Sequence, residues 1–374
     1  MNTGTSSRDC LIRSSIPLLI SFVAVIAITD NLHSQKSKKK HGIEITQRDE
    51  ETSNLNDESE VTEDEKLELD KEKNKRYVKA RRFLLGKQYS SLAKELYALK
   101  KKYPVKQDRE YHFYKGVVYE KKNLYRRAVE CYLQAIELSP DYSKARNGLG
   151  CLYCKLHKYH LAEEHFLEAI QANVYNPFIN YNLGNLYFDI GDYDKAYKYI
   201  TNAIEYKKNF GSAYHKLAII LFIRKDYLKA FRTFKQAIKF KKTLYTTYYY
   251  MGMSSFHLGK GSTAIYYLKR ALKIKSNFFE ASLELGKIYQ AYGEYENAIK
   301  FYQHSRSLNP DYDEIALLMV ECYKELRRYT EAINLLKDLL KEDPENKKLE
   351  QYLMNLQNRR LIENLNEPYD YYTY

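Results

Sequence analysis

The sequence has no tryptophan, only seven prolines and five cysteines in 374 residues. It also lacks the short constellations on which independent catalysis is usually built. There is no G-x-S-x-G nucleophile turn, no phosphate-cradling glycine loop and no H-E-x-x-H helix. The most apolar stretch, "IPLLISFVAVIAI" at 16–28, has thirteen residues, short of the roughly 20 that a spanning helix needs. An enzyme is therefore not expected, nor a cofactor or a metal. "HKYHLAEEH" gathers His157, His160, Glu164 and His165, but not at zinc-helix spacing, so ordinary solvent-facing residues are the simpler reading.

Tyrosine is abundant, with 39 residues, and we read it as packing volume. The net charge of +13 is uneven: residues 36–72 carry seven Lys/Arg against thirteen Asp/Glu, and residues 73–346 carry +19. A basic body behind an acidic leader attracts anionic partners such as nucleic acid or acidic lipid. A Lys-rich solvated helical surface accounts for the same numbers.

The apolar run follows Arg8 and Arg13, as the hydrophobic region of a secretory signal does. Residues 1–35 are read as a signal peptide with cleavage near Ser34 or Gln35, or as an uncleaved signal anchor. Export is expected, to the periplasm or tethered to the membrane through 16–28. Residues 36–72 are polar and acidic and offer too little apolar surface to offset the entropy of ordering. They read as a disordered linker.

From 109 to 346 the chain matches itself every 34 residues without insertion or deletion. Position eight of successive units holds Gly116, Gly150, Gly184, Ala218, Gly252, Gly286 and Val320. Position twenty is alanine in all seven, from Ala128 through Ala196 to Ala332. Each unit contains two stretches of helical period separated by a break such as "DIGDYD". Small residues at positions eight, twenty and twenty-seven let two helices approach; Leu183, Tyr187 and Phe234 fill the space between units. Pro140, Pro310 and Pro344 close second helices, since proline cannot continue one. A weaker unit spans 73–106. One unit cannot bury its own apolar faces, so neighbours must stack.

This pattern resembles the tetratricopeptide repeat family, whose signature is W-x2-L-G-x2-Y, A-x3-F and P at a 34-residue period. The resemblance covers about three-quarters of the chain, in units 73–106, 109–142, 143–176, 177–210, 211–244, 245–278, 279–312 and 313–346. It implies an all-α, right-handed superhelical solenoid, with 347–366 as a capping helix and 367–374 as a flexible tail. Two departures stand out. No Trp fills position four, where Tyr214 and Tyr248 stand instead, and the central units lack the proline, which predicts less sharply defined second-helix ends.

The resemblance also implies a concave groove lined by first helices that binds partner peptides. Family geometry places Phe178, Tyr181, Asn185, Phe188, His215, Ile219, Phe222, Tyr249, Met253 and Phe256 in it. The final unit offers Glu314, Glu321, Lys324 and Glu325. Such a lining implies a helix or extended segment with apolar side chains. An asparagine ladder at position six is missing, since only Asn182 stands there, and Asn185 alone makes no carboxylate clamp. The leading expectation is a protein–protein interaction scaffold of the bacterial cell envelope. Partner identity, oligomeric state and the redox state of Cys131, Cys151, Cys154 and Cys322 stay open. Two alternatives stand beside it: nucleic-acid binding by the basic body, disfavoured because RNA-reading repeats use other periods, and thiol redox at Cys151-x-x-Cys154.

Overall fold

The computed structural model describes residues 63–366, Asp311 excepted. The expected signal segment, most of the linker and the tail lie outside the described residues. Every regular element among those described is an α-helix, and the helices fall into two compact units divided at Lys208 and Asn209.

The first unit runs α1 (Glu63–Leu85), α2 (Tyr89–Lys102), α3 (Arg109–Lys121), α4 (Tyr125–Leu138), α5 (Ser143–Lys155), α6 (Tyr159–Ala172), α7 (Pro177–Asp189) and α8 (Tyr193–Tyr206). The second runs α9 (Gly211–Ile223), α10 (Tyr227–Lys239), α11 (Tyr245–His257), α12 (Gly261–Ile274), α13 (Phe279–Ala291), α14 (Tyr295–Leu308), α15 (Asp313–Glu325), α16 (Tyr329–Glu342) and α17 (Lys347–Asn366). Consecutive helices pack as hairpins, and each hairpin packs on the next within its unit. Helix pairs of this kind, stacked in sequence order, form a helical-repeat solenoid.

The glycine at position eight has one physical cause in all five units that carry it. A Cβ added to Gly116 would sit 2.8 Å from the Tyr132 ring, and one on Gly150 would sit 2.7 Å from Phe166. The same construction brings Gly184 to 2.7 Å from Ile200, Gly252 to 2.7 Å from Leu268 and Gly286 to 2.4 Å from Tyr302. Each partner lies sixteen residues on, at position twenty-four of the same unit. A bare α-carbon on the first helix thus receives the large side chain of the second. Tyr132 and Tyr302 also send their hydroxyls back to position twelve, donating to Glu120 Oε2 at 3.0 Å and to Gln290 Oε1 at 2.6 Å.

The turn between paired helices places position fifteen in the left-handed region in all eight units. Glycine serves at Gly191, Gly259 and Gly293, whereas Lys87, Asn123, His157, Lys225 and Arg327 adopt positive φ without it. The backbone closes as a Schellman-type cap: Asp192 N donates to Tyr187 O at 2.9 Å and Gly191 N to Phe188 O at 3.1 Å. His157 is therefore a turn residue. The missing Trp is replaced by stacked pairs, Tyr214 on Phe240 at 5.3 Å and Tyr248 on Tyr267 at 6.2 Å.

Two expectations are corrected. Loss of the proline does not blur the second helices: α6, α8 and α12 end at position thirty, as α4, α14 and α16 do. Asn173, Lys207 and Lys275 stop them by leaving the helical region, with φ of −152°, −141° and −133°. Only α10 ends one residue earlier, with Lys241 at φ +61°. Second, 63–72 is helical and continuous with the first repeat. Its charges find partners that an isolated linker lacks: Glu72 pairs with Lys102. Just beyond, Lys73 pairs with Asp108 at 2.6 Å, and Arg76 and Lys79 both reach the buried Glu95 at 2.9 Å.

Candidate partner-binding surface

In the first unit the expected groove residues lie along α7 at helical spacing, one face of the helix. Pro177 starts α7 at its first position, and Asn176 caps it, its Oδ1 accepting from Phe178 N at 2.9 Å and Ile179 N at 3.3 Å. Phe178 is 51% exposed, with Lys207 Nζ 4.6 Å from its ring centre. Tyr181 and Asn185, one and two turns on, are half-buried. Burial raises the Tyr181 phenol, and a hydrogen bond with Asn185 works against that shift. Asn185 Oδ1 is itself buried and has no hydrogen-bond partner. Phe188 is buried, edge-on to Tyr193 at 5.5 Å.

Asn182 turns toward α5 instead. Its Nδ2 donates to Asn147 Oδ1 at 2.9 Å and approaches Cys151 Sγ at 3.3 Å. No sequence pattern points to the Asn147 partner, because the two side chains meet only when adjacent repeats stack.

In the second unit four of the six expected residues are packed inside. Met253 is 1% exposed, and His215, Phe222 and Tyr249 are buried as well. Phe222 lies against Tyr227 at 5.4 Å and Tyr250 at 5.2 Å, and Tyr249 meets Phe278 at 5.2 Å. Thr247 Oγ1 lies 3.0 Å from His215 Nδ1, joining α9 to α11. Burial, with smaller contributions from Lys216 and Lys242, pushes the His215 imidazole down to about 3. It is a neutral packing residue near neutral pH. Ile219 and Phe256 are half-buried and keep surface to offer. The aromatic character that marked this stretch as a groove serves mainly to join repeats.

The last repeat shows a feature that position-by-position reading missed. Leu317 and Leu318 join Glu314 and Glu321 of α15, and Lys348, Leu349 and Tyr352 of α17, around an open recess of about 300 Å³. The Tyr352 hydroxyl donates to Glu321 across it. Leu356 buries α17 against the array. The usable signal was the leucine pair at positions five and six.

The cysteine pair shows no activation. Cys131, Cys151, Cys154 and Cys322 are all free thiols. Burial first, then Cys154, pushes the Cys151 thiol up to about 12; burial and Asp189 do the same to Cys154. A redox nucleophile needs the opposite shift. Among the described residues no group of three or more His, Cys, Asp or Glu is placed to hold a metal ion. No described helix is long and apolar enough to cross a membrane.

Three tetratricopeptide repeat family models match the chain, one over 109–142 and 177–210, one over 131–164 and one over 290–354. The chain is a tetratricopeptide repeat protein. No curated protein matches it. Among solved structures it is similar to the APC/C hetero-tetramer Cut9–Hcn1, at 16% identity and TM-score 0.52, over 63% of this chain and 46% of that one. It is also similar to the C-terminal part of a repeat protein from Cytophaga hutchinsonii, at 15% identity and TM-score 0.50, over 65% and 99%. At these identities the likeness is one of fold. Of the expected groove residues, those that keep accessible surface are Phe178, Tyr181 and Asn185 on α7 in the first unit and, separately, Ile219 and Phe256 in the second.

Proposed function

We propose that this tetratricopeptide repeat protein is a non-catalytic protein–protein interaction scaffold that holds a partner segment against α7. The observation that carries the reading is Asn185. A buried acceptor without a donor costs roughly 1–3 kcal/mol; a bound segment reaches it by shifting the side chains that cover it, and then supplies a backbone N–H. Tyr181 beside it and the exposed Phe178 one helical turn below Tyr181 then give apolar side chains of that segment a place to pack. Phe188 contributes as support beneath the surface, and so do Phe222, Tyr249, Met253 and His215 in the second unit. We place the scaffold in the cell envelope, exported or anchored through 16–28, on the character of that apolar run.

The test is affinity capture by the full chain from its native cell extract, with Asn185→Ala and Phe178→Ala compared with the unaltered protein. Loss of a captured protein, with helical content unchanged by circular dichroism, is expected. Retention of every captured protein by the double variant overturns the reading. N-terminal sequencing of the mature chain checks export: a start near Ser34 or Gln35 marks a cleaved signal peptide.

A further inference from the structure

Between Asp226 and Glu280 the chain has no carboxylate side chain, yet residues 227–279 contain eleven Lys and Arg. This acid-free stretch covers α10, α11 and α12. Its exposed cations lie mostly on the two second helices, Lys241 and Lys260 excepted. Arg232, Lys235 and Lys239 are exposed on α10, and Lys269, Arg270 and Lys273 on α12. At 3.6 residues per turn each set forms one stripe. The stripes are in register, because Lys235 and Lys269 share position twenty-five and Lys239 and Lys273 share position twenty-nine. Phe231 meets Tyr267 edge-on at 5.6 Å, a side-chain contact between the two helices.

No other full repeat builds this surface, and the weaker unit 73–106, which has Lys101 at position twenty-nine, has Tyr97 at position twenty-five. Position twenty-nine holds Glu137, Gln171, Glu205 and Ser307 in other full units. The last unit has Lys337 and Lys341, but Asp338 pairs with Lys341 at 2.8 Å. Lys229 at the start of α10 pairs with Asp226, but Lys235, Lys239, Lys269 and Arg270 meet aromatic rings. Lys235 Nζ lies 5.2 Å from the Phe231 ring, Lys269 Nζ 5.3 Å from Tyr289, and the Arg270 guanidinium 5.2 Å from Tyr248. Ring contacts hold a cation in place without cancelling its charge.

We propose that the outer face of α10 and α12 docks on an anionic phospholipid surface. The charge pattern supplies the long-range attraction. The side chains between the cations favour lipid over other polyanions. Leu228, 43% exposed, lies on the α10 stripe, and Tyr266 and Ile274, 53% and 51% exposed, flank the α12 stripe. Aliphatic and tyrosine side chains of this kind enter the headgroup region, whereas a phosphodiester backbone gives Leu228 and Ile274 nothing to contact. The rings beneath the cations are already covered, so single-stranded nucleic acid finds few free faces on which to stack bases.

The experiment measures partitioning of the full chain into vesicles of phosphatidylcholine alone and of phosphatidylcholine containing phosphatidylglycerol. The same is done for a variant with Lys235, Lys239, Lys269 and Lys273 changed to Gln. Using the full chain keeps any contribution of residues 16–28 equal in both. The unaltered protein is expected to prefer the phosphatidylglycerol vesicles. The variant is expected to lose on the order of a hundredfold or more of that preference. A second variant, Leu228→Ser with Ile274→Ser, is expected to weaken binding at high salt, where the charges are screened. The proposal is overturned if the quadruple variant keeps the full phosphatidylglycerol preference. It is equally overturned if the variant loses affinity only for single-stranded DNA, or only for a peptide of residues 49–65, while vesicle binding stays unchanged.

Discussion

Asn182 Nδ2 donates to Asn147 Oδ1 at 2.9 Å, so the asparagine best placed by type to read a ligand instead joins two adjacent repeats. Asn185, one turn on, is the side chain left with an unanswered acceptor. The two therefore respond in opposite ways to truncation. Asn182→Ala is expected to cost about 1 kcal/mol in urea unfolding and to leave partner capture intact. Asn185→Ala removes that acceptor together with the hydrogen bond to Tyr181, so stability is expected to change little and capture to weaken.

The contact between Gly286 and Tyr302 leaves no space for a methyl group, since an added Cβ falls 2.4 Å from the ring. Gly286→Ala is expected to destabilise the second unit by about 1–3 kcal/mol, the usual cost of overpacking. Combining it with Tyr302→Leu should recover part of the loss. A thermal-unfolding double-mutant cycle gives the coupling, and strictly additive effects would refute the steric account.

Lys225 sits at φ +63°, at the turn position where Gly259 and Gly293 serve in later repeats. A side chain in the left-handed region costs roughly 1–2 kcal/mol, partly offset by glycine's greater freedom in the unfolded chain. Lys225→Gly is therefore expected to raise the unfolding midpoint, and Gly259→Ala to lower it. Equal midpoints for all three proteins would remove the strain argument.

Burial lowers the His215 imidazole to about 3, from an ordinary value of 6.5. The unfolded chain takes up this proton below pH 6.5 and the folded chain does not. The contribution of His215 is therefore complete above pH 6.5 and declines as the pH falls toward 3. Between pH 7 and pH 5 this amounts to on the order of 2 kcal/mol. His215→Gln keeps a hydrogen-bonding group near Thr247 without titrating there, and its stability should fall less across that interval. Parallel profiles for the two proteins would contradict this assignment.

The fold was legible because packing between helices repeats every 34 residues. Gly184, Ala196 and Ala203 are small where backbones meet, and small residues at fixed intervals leave a periodic mark on the sequence. The second-helix ends were misjudged because Asn173, Lys207 and Lys275 stop a helix by backbone conformation alone. The helical start of the first repeat was missed because Glu72 and Lys73 gain their partners, Lys102 and Asp108, only after folding. The site was legible in outline on α7 and much less so in the second unit. There Phe222, Tyr249 and Met253 have the chemistry of a binding groove and the burial of a core. Hydrophobic type does not tell the two apart; accessibility does, and accessibility depends on how neighbouring side chains pack.

In each glycine-bearing unit, the position-eight glycine meets its large partner sixteen residues further along the same chain. These core contacts are therefore local in sequence, and the loop that must close to form each of them is short. Proteins dominated by such contacts fold quickly for their size, and in repeat arrays order can start in any unit and spread to its neighbours. A hairpin leaving the ribosome already carries both halves of its own closest fit. Delay in synthesis of the later repeats need not hold up the earlier ones.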